Sequence, residues 1–312
     1  MAWGFCPVSG PPREAKAVLQ PEQCRGIWVP LVTPFDGEQL AAEWLGGCID
    51  WLLERGVGGF LALGTTGEAA HCSDDEAELL VRVVHQAVRG RVPVFAGSGR
   101  ASTHGTIALT RRLAAAGADA ALVLTPHAYR ARMDDATLRR HYTALADASP
   151  VPIFVYHMPE VTGLELAAST LIEILQHPNV WGFKDSSAEG GPLAATLAVT
   201  RTCGFVGSGA RVVEAFEAGA GGGILAVAHV VPEVAVELAS AWKSGDRTRA
   251  ERLQAGLRGV ATSWKGYAVP GVKYALRKRG LRAGNARQPL GEVPAEQQAR
   301  IDAALDAALG LL

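Results

Sequence analysis

GIWVPLVTPFDG, residues 26–37, is a short apolar run that empties into TPFDG. Its first seven residues, GIWVPLV, have the length and apolar density of a parallel strand buried on both faces. In an open doubly wound sheet that binds a dinucleotide, the turn after the first strand carries GxGxxG, and TPFDG does not supply it. The fold must therefore be read from what repeats further along the chain.

Seven more runs of the same kind follow: GGFLALG (58–64), VPVFAGS (92–98), DAALVLT (119–125), VPIFVY (151–156), VWGFK (180–184), CGFVGS (203–208) and GGILAV (222–227). Each is nearly all apolar and bounded by Gly, Pro, Ser or Asp. Between them lie amphipathic stretches such as EQLAAEWLGGCIDWLLERG, DDEAELLVRVVHQAVRG and HGTIALTRRLAAAG, with apolar residues three and four apart and a Gly near the end. Strand then helix, eight times over, predicts a (β/α)8 TIM barrel. After His229 the pattern turns wholly helical, and DRTRAERLQAGLRGVATSW, YAVPGVKYALRKRG and PAEQQARIDAALDAALG predict a C-terminal helical appendage. The expected organisation is an N-terminal arm over 1–22, mobile or packed on a neighbour, a barrel over 23–244 and a helical region over 245–312.

Composition narrows the function classes. With 312 residues, 48% apolar and 20% charged, the chain is that of a soluble globular protein with a sizeable core. The net charge is −1 and no run of Lys or Arg is dense enough to track phosphates, which argues against nucleic acid as a partner; Arg277, Lys278, Arg279 and Arg282 read as a solvated helix end. Five widely spaced cysteines (Cys6, Cys24, Cys48, Cys72, Cys203) form no CxxC, which speaks against a disulfide framework or a zinc site and for a reducing cytoplasm. No stretch has the apolar core of a signal peptide or the ~18 apolar residues of a membrane span.

In such barrels the active site gathers at the C-terminal ends of the strands. GTTGE (64–68), LTPHAYR (124–130), Tyr156, Lys184, GSG (207–209) and GAGGG (219–223) are thus expected around one mouth. Of 30 Lys plus Arg only six are Lys, and between Lys16 and Lys243 every cation except Lys184 is Arg. Arg stays protonated, whereas burial disfavours a charged Lys, and a neutral amine attacks a ketone to give a Schiff base. The alternative is that Lys184 pairs with a carboxylate such as Asp185 or caps the barrel mouth. Tyr156 can donate and accept a proton, or be a rim aromatic with a hydrogen-bonded hydroxyl. Thr65 and Thr66 offer hydroxyls and backbone N–H groups suited to a carboxylate, or form only a tight turn and helix cap. No two His stand at ligand spacing with a carboxylate between them, so no metal site is expected, and adjacent His71 and Cys72 make a poor base and nucleophile pair.

GTTGE (64–68), VYHMP (155–159) and GFKDSS (182–187), in this order at barrel spacing, resemble the dihydrodipicolinate synthase and N-acetylneuraminate lyase family of pyruvate-type class I aldolases. The resemblance runs from VTPF (32–35) through GAGGGILAVAH (219–229) and PGVKYAL (270–276) to PLGEVPAEQ (289–297). It implies no metal or organic cofactor, a small 2-oxo acid and an aldehyde as partners, and a homotetramer of two tight dimers. It also implies Lys184 as the Schiff-base lysine, Tyr156 as the proton-relay tyrosine, and Thr65 and Thr66 as the carboxylate grip. Gly64 and Ile224 would line the same pocket, with Tyr129, His127 or water in place of the family's tyrosine in the loop after strand four.

Two positions depart from the synthases of that family. Val161 stands where they carry an Arg for the second substrate's carboxylate, and Ala128 stands where they carry a loop tyrosine. The segment 128–166, with QHPNVWGFKDSS, is most similar to the 4-hydroxy-2-oxoglutarate aldolase branch, which releases pyruvate and glyoxylate. A synthase or dehydratase using the same Schiff base, and a homologue that only binds, are the alternatives. Arg130 and Arg132 are expected to be surface charges.

Overall fold

The structure is a computed structural model and describes residues 19–20, 23–188 and 191–312. Most of the expected arm over 1–22 therefore lies outside the described residues, although Leu19 is described and packs into the barrel's interior cluster.

All eight predicted runs contain parallel strands, here β1 (Gly26–Pro30), β2 (Gly59–Ala62), β3 (Val94–Gly97), β4 (Ala120–Leu124), β5 (Ile153–His157), β6 (Val180–Asp185), β7 (Cys203–Val206) and β8 (Gly222–Ile224). They pair in sequence order, and the sheet closes where Trp28 on β1 faces both Gly59 on β2 and Ile224 on β8. TPFDG leads into a small hairpin, Phe35–Asp36 against Gln39–Leu40.

Helices α1 (Leu45–Leu53), α2 (Asp74–Val88), α3 (Thr103–Ala116), α4 (Asp135–Ala148), α5 (Pro159–Thr162), α6 (Ala168–Ile174), α7 (Leu193–Leu197), α8 (Val212–Glu217), α9 (Ala226–Val230) and α10 (Pro232–Ser244) intervene between the strands or follow β8. In α2 the cause is legible locally. Ser73 accepts from the Glu76 N–H while the Glu76 carboxylate accepts from the Ser73 N–H, a reciprocal cap. Ala77, Leu80, Val81, Val84 and Val88 then form one buried stripe at helical spacing. Beyond α10 come α11 (Arg247–Ser263), α12 (Ala268–Lys278) and α13 (Ala295–Leu309). Leu253, Leu257, Val272, Leu276 and Ile301 of these helices share one continuous buried cluster with the barrel's outer shell.

The barrel interior is plugged from below. Trp28, Phe95, Phe154 and Phe205, one from each odd-numbered strand, form a single aromatic layer, with ring centroids 4.6 Å apart for Trp28–Phe95 and for Phe95–Phe154 and 5.3 Å for Trp28–Phe205. Fully burying each such ring stabilises the fold by about 1.5–3 kcal/mol. Gly182 on β6 makes room for this layer, since a Cβ there would lie 2.7 Å from the Phe154 ring. Side chains alternate along a strand, so the residue two positions later faces the same interior nearer the mouth. Tyr156 follows Phe154 in this way, and Lys184 follows Gly182.

Candidate active site

Tyr156 and Lys184 are register partners on the neighbouring strands β5 and β6, and both are buried, at 4% and 5% exposure. The Lys184 Nζ lies 4.3 Å from the centre of the Tyr156 ring. The Tyr156 hydroxyl lies 3.5 Å from Thr65 Oγ1 and donates to Met158 Sδ at 2.8 Å. Burial alone would raise the phenol's pKa. The Lys184 charge, together with hydrogen bonds from Thr65, Ser186 and Lys184, outweighs that and holds it below the ordinary tyrosine value. An amine, a phenol inclined to ionise and two hydroxyls thus meet above an apolar floor, a set able to form an imine and move protons around it.

Asp185, the alternative partner of Lys184, points to the other face of β6 by strand alternation. Its carboxylate accepts from the Ser187 N–H at 3.0 Å, the Ser187 hydroxyl at 2.8 Å and the Leu193 N–H at 3.3 Å. That cap closes the loop behind the lysine and leaves the amine to the barrel mouth.

The GTTGE turn follows β2 and is held by its own backbone, with Gly67 N–H donating to Gly64 C=O at 3.0 Å and Glu68 N–H to Thr65 C=O at 3.1 Å. Leu63 and Glu68 both take left-handed backbone angles, φ 58° and 52°, which L side chains adopt at a cost. Thr33 Oγ1 fastens the turn from β1's side by donating to Gly67 C=O at 2.5 Å. Thr65 reaches Tyr156 and Met158, while Thr66 is half-buried in the same turn and its hydroxyl makes no hydrogen bond with described residues. Ile224 belongs to the interior cluster that contains Tyr156. Tyr129 is not brought into this set: it stands 75% exposed on the loop after β4, beside the short turn Arg130–Arg132. Arg132 is exposed, and Arg130 lies across Gly163 in the turn after α5. Among the described residues, no group of three His, Cys, Asp or Glu could hold a metal ion, and no helix is long and apolar enough to cross a membrane.

Sequence reading gave no individual role to four participants, although Glu68 and Gly207 lie within GTTGE and GSG. Ser186 helps hold the phenol's pKa down, and Met158 accepts its hydrogen bond. Both lie two residues beyond a predicted site residue, so strand alternation was the available signal. Gly207 packs under the Lys184 stem, where a Cβ would lie 2.8 Å from Lys184 Cε. Glu68 anchors the turn through a buried ion pair with Lys273 of α12, a contact with no local signal.

The sequence model of the dihydrodipicolinate synthetase family matches residues 23–308. The chain belongs to the dihydrodipicolinate synthetase family. Members of this family are lyases, and the chain is an enzyme of that class. It is 33% identical to a 4-hydroxy-tetrahydrodipicolinate synthase of Acidiphilium cryptum over 92% of this chain and 99% of that protein. It is 31% identical to an L-threo-3-deoxy-hexylosonate aldolase of Hypocrea jecorina, over 89% of this chain and 93% of that one. Among solved structures it is similar to YagE, a prophage protein of the family from E. coli K12 in complex with pyruvate, with a TM-score of 0.86 and 25% identity over 91% of this chain and 98% of that one.

Proposed function

We propose that the protein is a class I aldolase that forms a Schiff base between Lys184 and a small 2-oxo acid, with pyruvate as the keto component and 4-hydroxy-2-oxoglutarate as the substrate cleaved. The observation that carries this reading is the Lys184 amine 4.3 Å from the ring of a phenol held below its ordinary pKa. The amine passes a proton to the ionised Tyr156 oxygen and adds to the C2 carbonyl; the phenol then returns that proton to the departing hydroxyl, so water leaves, an iminium forms and Tyr156 is ionised again. The C4 hydroxyl gives its proton to the Tyr156 oxygen while the C3–C4 bond breaks, its electron pair entering the iminium to form an enamine. Glyoxylate leaves, the enamine takes a proton at C3, and water releases pyruvate. Thr65 and Thr66 orient the substrate carboxylate, and Gly64 and Ile224 shape the wall beside it.

Support comes from the aldolase among the relatives and from the pyruvate complex of the similar structure. Val161 also favours it, being exposed and apolar where the resembling synthases place an Arg. The synthase relative favours a second reading, in which the same imine serves condensation or loss of water. A cytoplasmic homotetramer belongs to the proposal, in keeping with the buried thiols of Cys48 and Cys72.

Incubation with pyruvate and borohydride, followed by peptide mapping, tests the core. A reduced adduct on Lys184 is expected, and no adduct or one on another residue overturns the proposal. Pyruvate release from 4-hydroxy-2-oxoglutarate then separates the aldolase from the synthase and from a homologue that only binds.

A further inference from the structure

The Tyr156 hydroxyl spends its hydrogen bond on sulfur. Met158 stands two residues beyond Tyr156, so strand alternation carries its side chain to the same mouth. There Sδ accepts the phenol proton at 2.8 Å and lies 3.5 Å from Thr65 Oγ1. A thioether is a weak acceptor and has no proton to exchange, so it can neither relay a proton nor hold the phenol against a better acceptor.

We propose that Met158 sets which aldehyde this site accepts. The inference rests on the aldolase reading of Lys184 and Tyr156. In that reaction the substrate hydroxyl must reach the Tyr156 oxygen, and the place it needs is the one the sulfur holds. The chain attached to that hydroxyl-bearing carbon therefore competes with the Met158 side chain for one volume. An unbranched thioether with three rotatable bonds can swing aside, and in doing so it lines the vacated space with apolar surface. This admits neutral aldehydes of three carbons alongside glyoxylate. A β-branched side chain here would be stiff at χ1 and would keep the space closed.

The test measures kcat and KM in the direction of synthesis, with pyruvate plus either glyoxylate or glyceraldehyde, for the wild type, Met158→Ile and Met158→Ala. The wild type is expected to turn over both aldehydes. Met158→Ile lowers kcat/KM for glyceraldehyde, mainly through KM, at least threefold more than it lowers the value for glyoxylate. Met158→Ala moves the ratio the other way, toward glyceraldehyde, by at least threefold. An unchanged ratio in the Ala variant, or a wild type that forms the pyruvate adduct yet rejects glyceraldehyde, overturns the proposal even if the Ile variant fails to fold. Borohydride trapping on Lys184 runs alongside: its loss from the wild type counts against the aldolase reading, whereas its retention with an unmoved ratio counts against Met158 alone.

Discussion

Glu68, in the turn that carries Thr65 and Thr66, meets Lys273 of α12 at 2.6 Å, with neither side chain more than 1% exposed. Lys273 Nζ also donates to the Thr33 and Asn285 carbonyls at 2.7 and 2.8 Å, and the Arg287 N–H donates to the other Glu68 oxygen at 2.9 Å. Burial holds Lys273 below the ordinary lysine pKa even though Glu68 opposes the shift. The C-terminal helices therefore act on the site from behind, by fixing a turn whose Glu68 sits in a left-handed conformation. Removing one member strands the other's charge in the interior, so Lys273→Met should cost about 3–5 kcal/mol. Replacing both residues with apolar ones of similar volume should recover much of that. Denaturant unfolding of the single and double variants checks this, and a single-variant loss under about 1 kcal/mol would contradict a buried pair.

Gly207 and Lys184 give a second prediction. A Cβ on residue 207 would lie 2.8 Å from Lys184 Cε and closer still to Ser186 Oγ. Both side chains must then move, and the amine moves with them. Gly207→Ala should slow imine formation with pyruvate about 100-fold, the scale expected of a 1 Å misplacement. The time course of borohydride trapping reads this directly. Trapping at the wild-type rate would mean that Gly207 does not set the lysine's position.

Much of this site was legible before the fold was known, and the reason is the period of a strand. An apolar run fixes both where a strand ends and which alternate residues face inward. Lys184 and Tyr156 follow from that rule, and applying it two residues further would have found Ser186 and Met158. Loops have no such period. Tyr129 is expected at the pocket, but it follows β4 beside the short turn Arg130–Arg132 and stands exposed. The Glu68–Lys273 pair was hidden for a different reason. It exists only because α12 carries Lys273 up to Thr33, Phe35 and Glu68 in the loops after β1 and β2, and nothing within GTTGE or PGVKYAL announces that meeting.

The phenol of Tyr156 should be detectable by titration. Burial raises Tyr142 far above the ordinary tyrosine range, and Tyr274 is raised as well, by partial burial and then by Asp302. Tyr156 moves the opposite way because of the Lys184 charge and its hydrogen bonds. Ultraviolet difference spectra should therefore show one tyrosine ionising earlier than an ordinary tyrosine does. Tyr156→Phe should abolish that step and lower kcat by about 10²–10⁴, the usual contribution of a proton-transfer group. Lys184→Met removes the charge and leaves burial dominant, so the early step should shift upward in pH. An early step that survives in Tyr156→Phe would assign it to another residue.

Two buried histidines should make the protein acid-sensitive. His229, 3.2 Å from Cys48 Sγ, is pushed down by burial to about 3, and His141, beside Thr103 at 2.9 Å, is pushed down by burial to about 4. Both are lowered from 6.5, so between that value and the folded one the unfolded chain binds protons that the folded chain refuses. The stability they contribute is whole above pH 6.5 and is lost as pH falls toward the folded values. Each unit of that fall costs about 1.4 kcal/mol per histidine. From pH 6.5 to 5, His229→Asn should therefore lose about 2 kcal/mol less than the wild type, whatever its stability at neutral pH. Denaturant unfolding at a series of pH values measures the two slopes. Parallel slopes would show that His229 takes up a proton in the folded protein as readily as in the unfolded one.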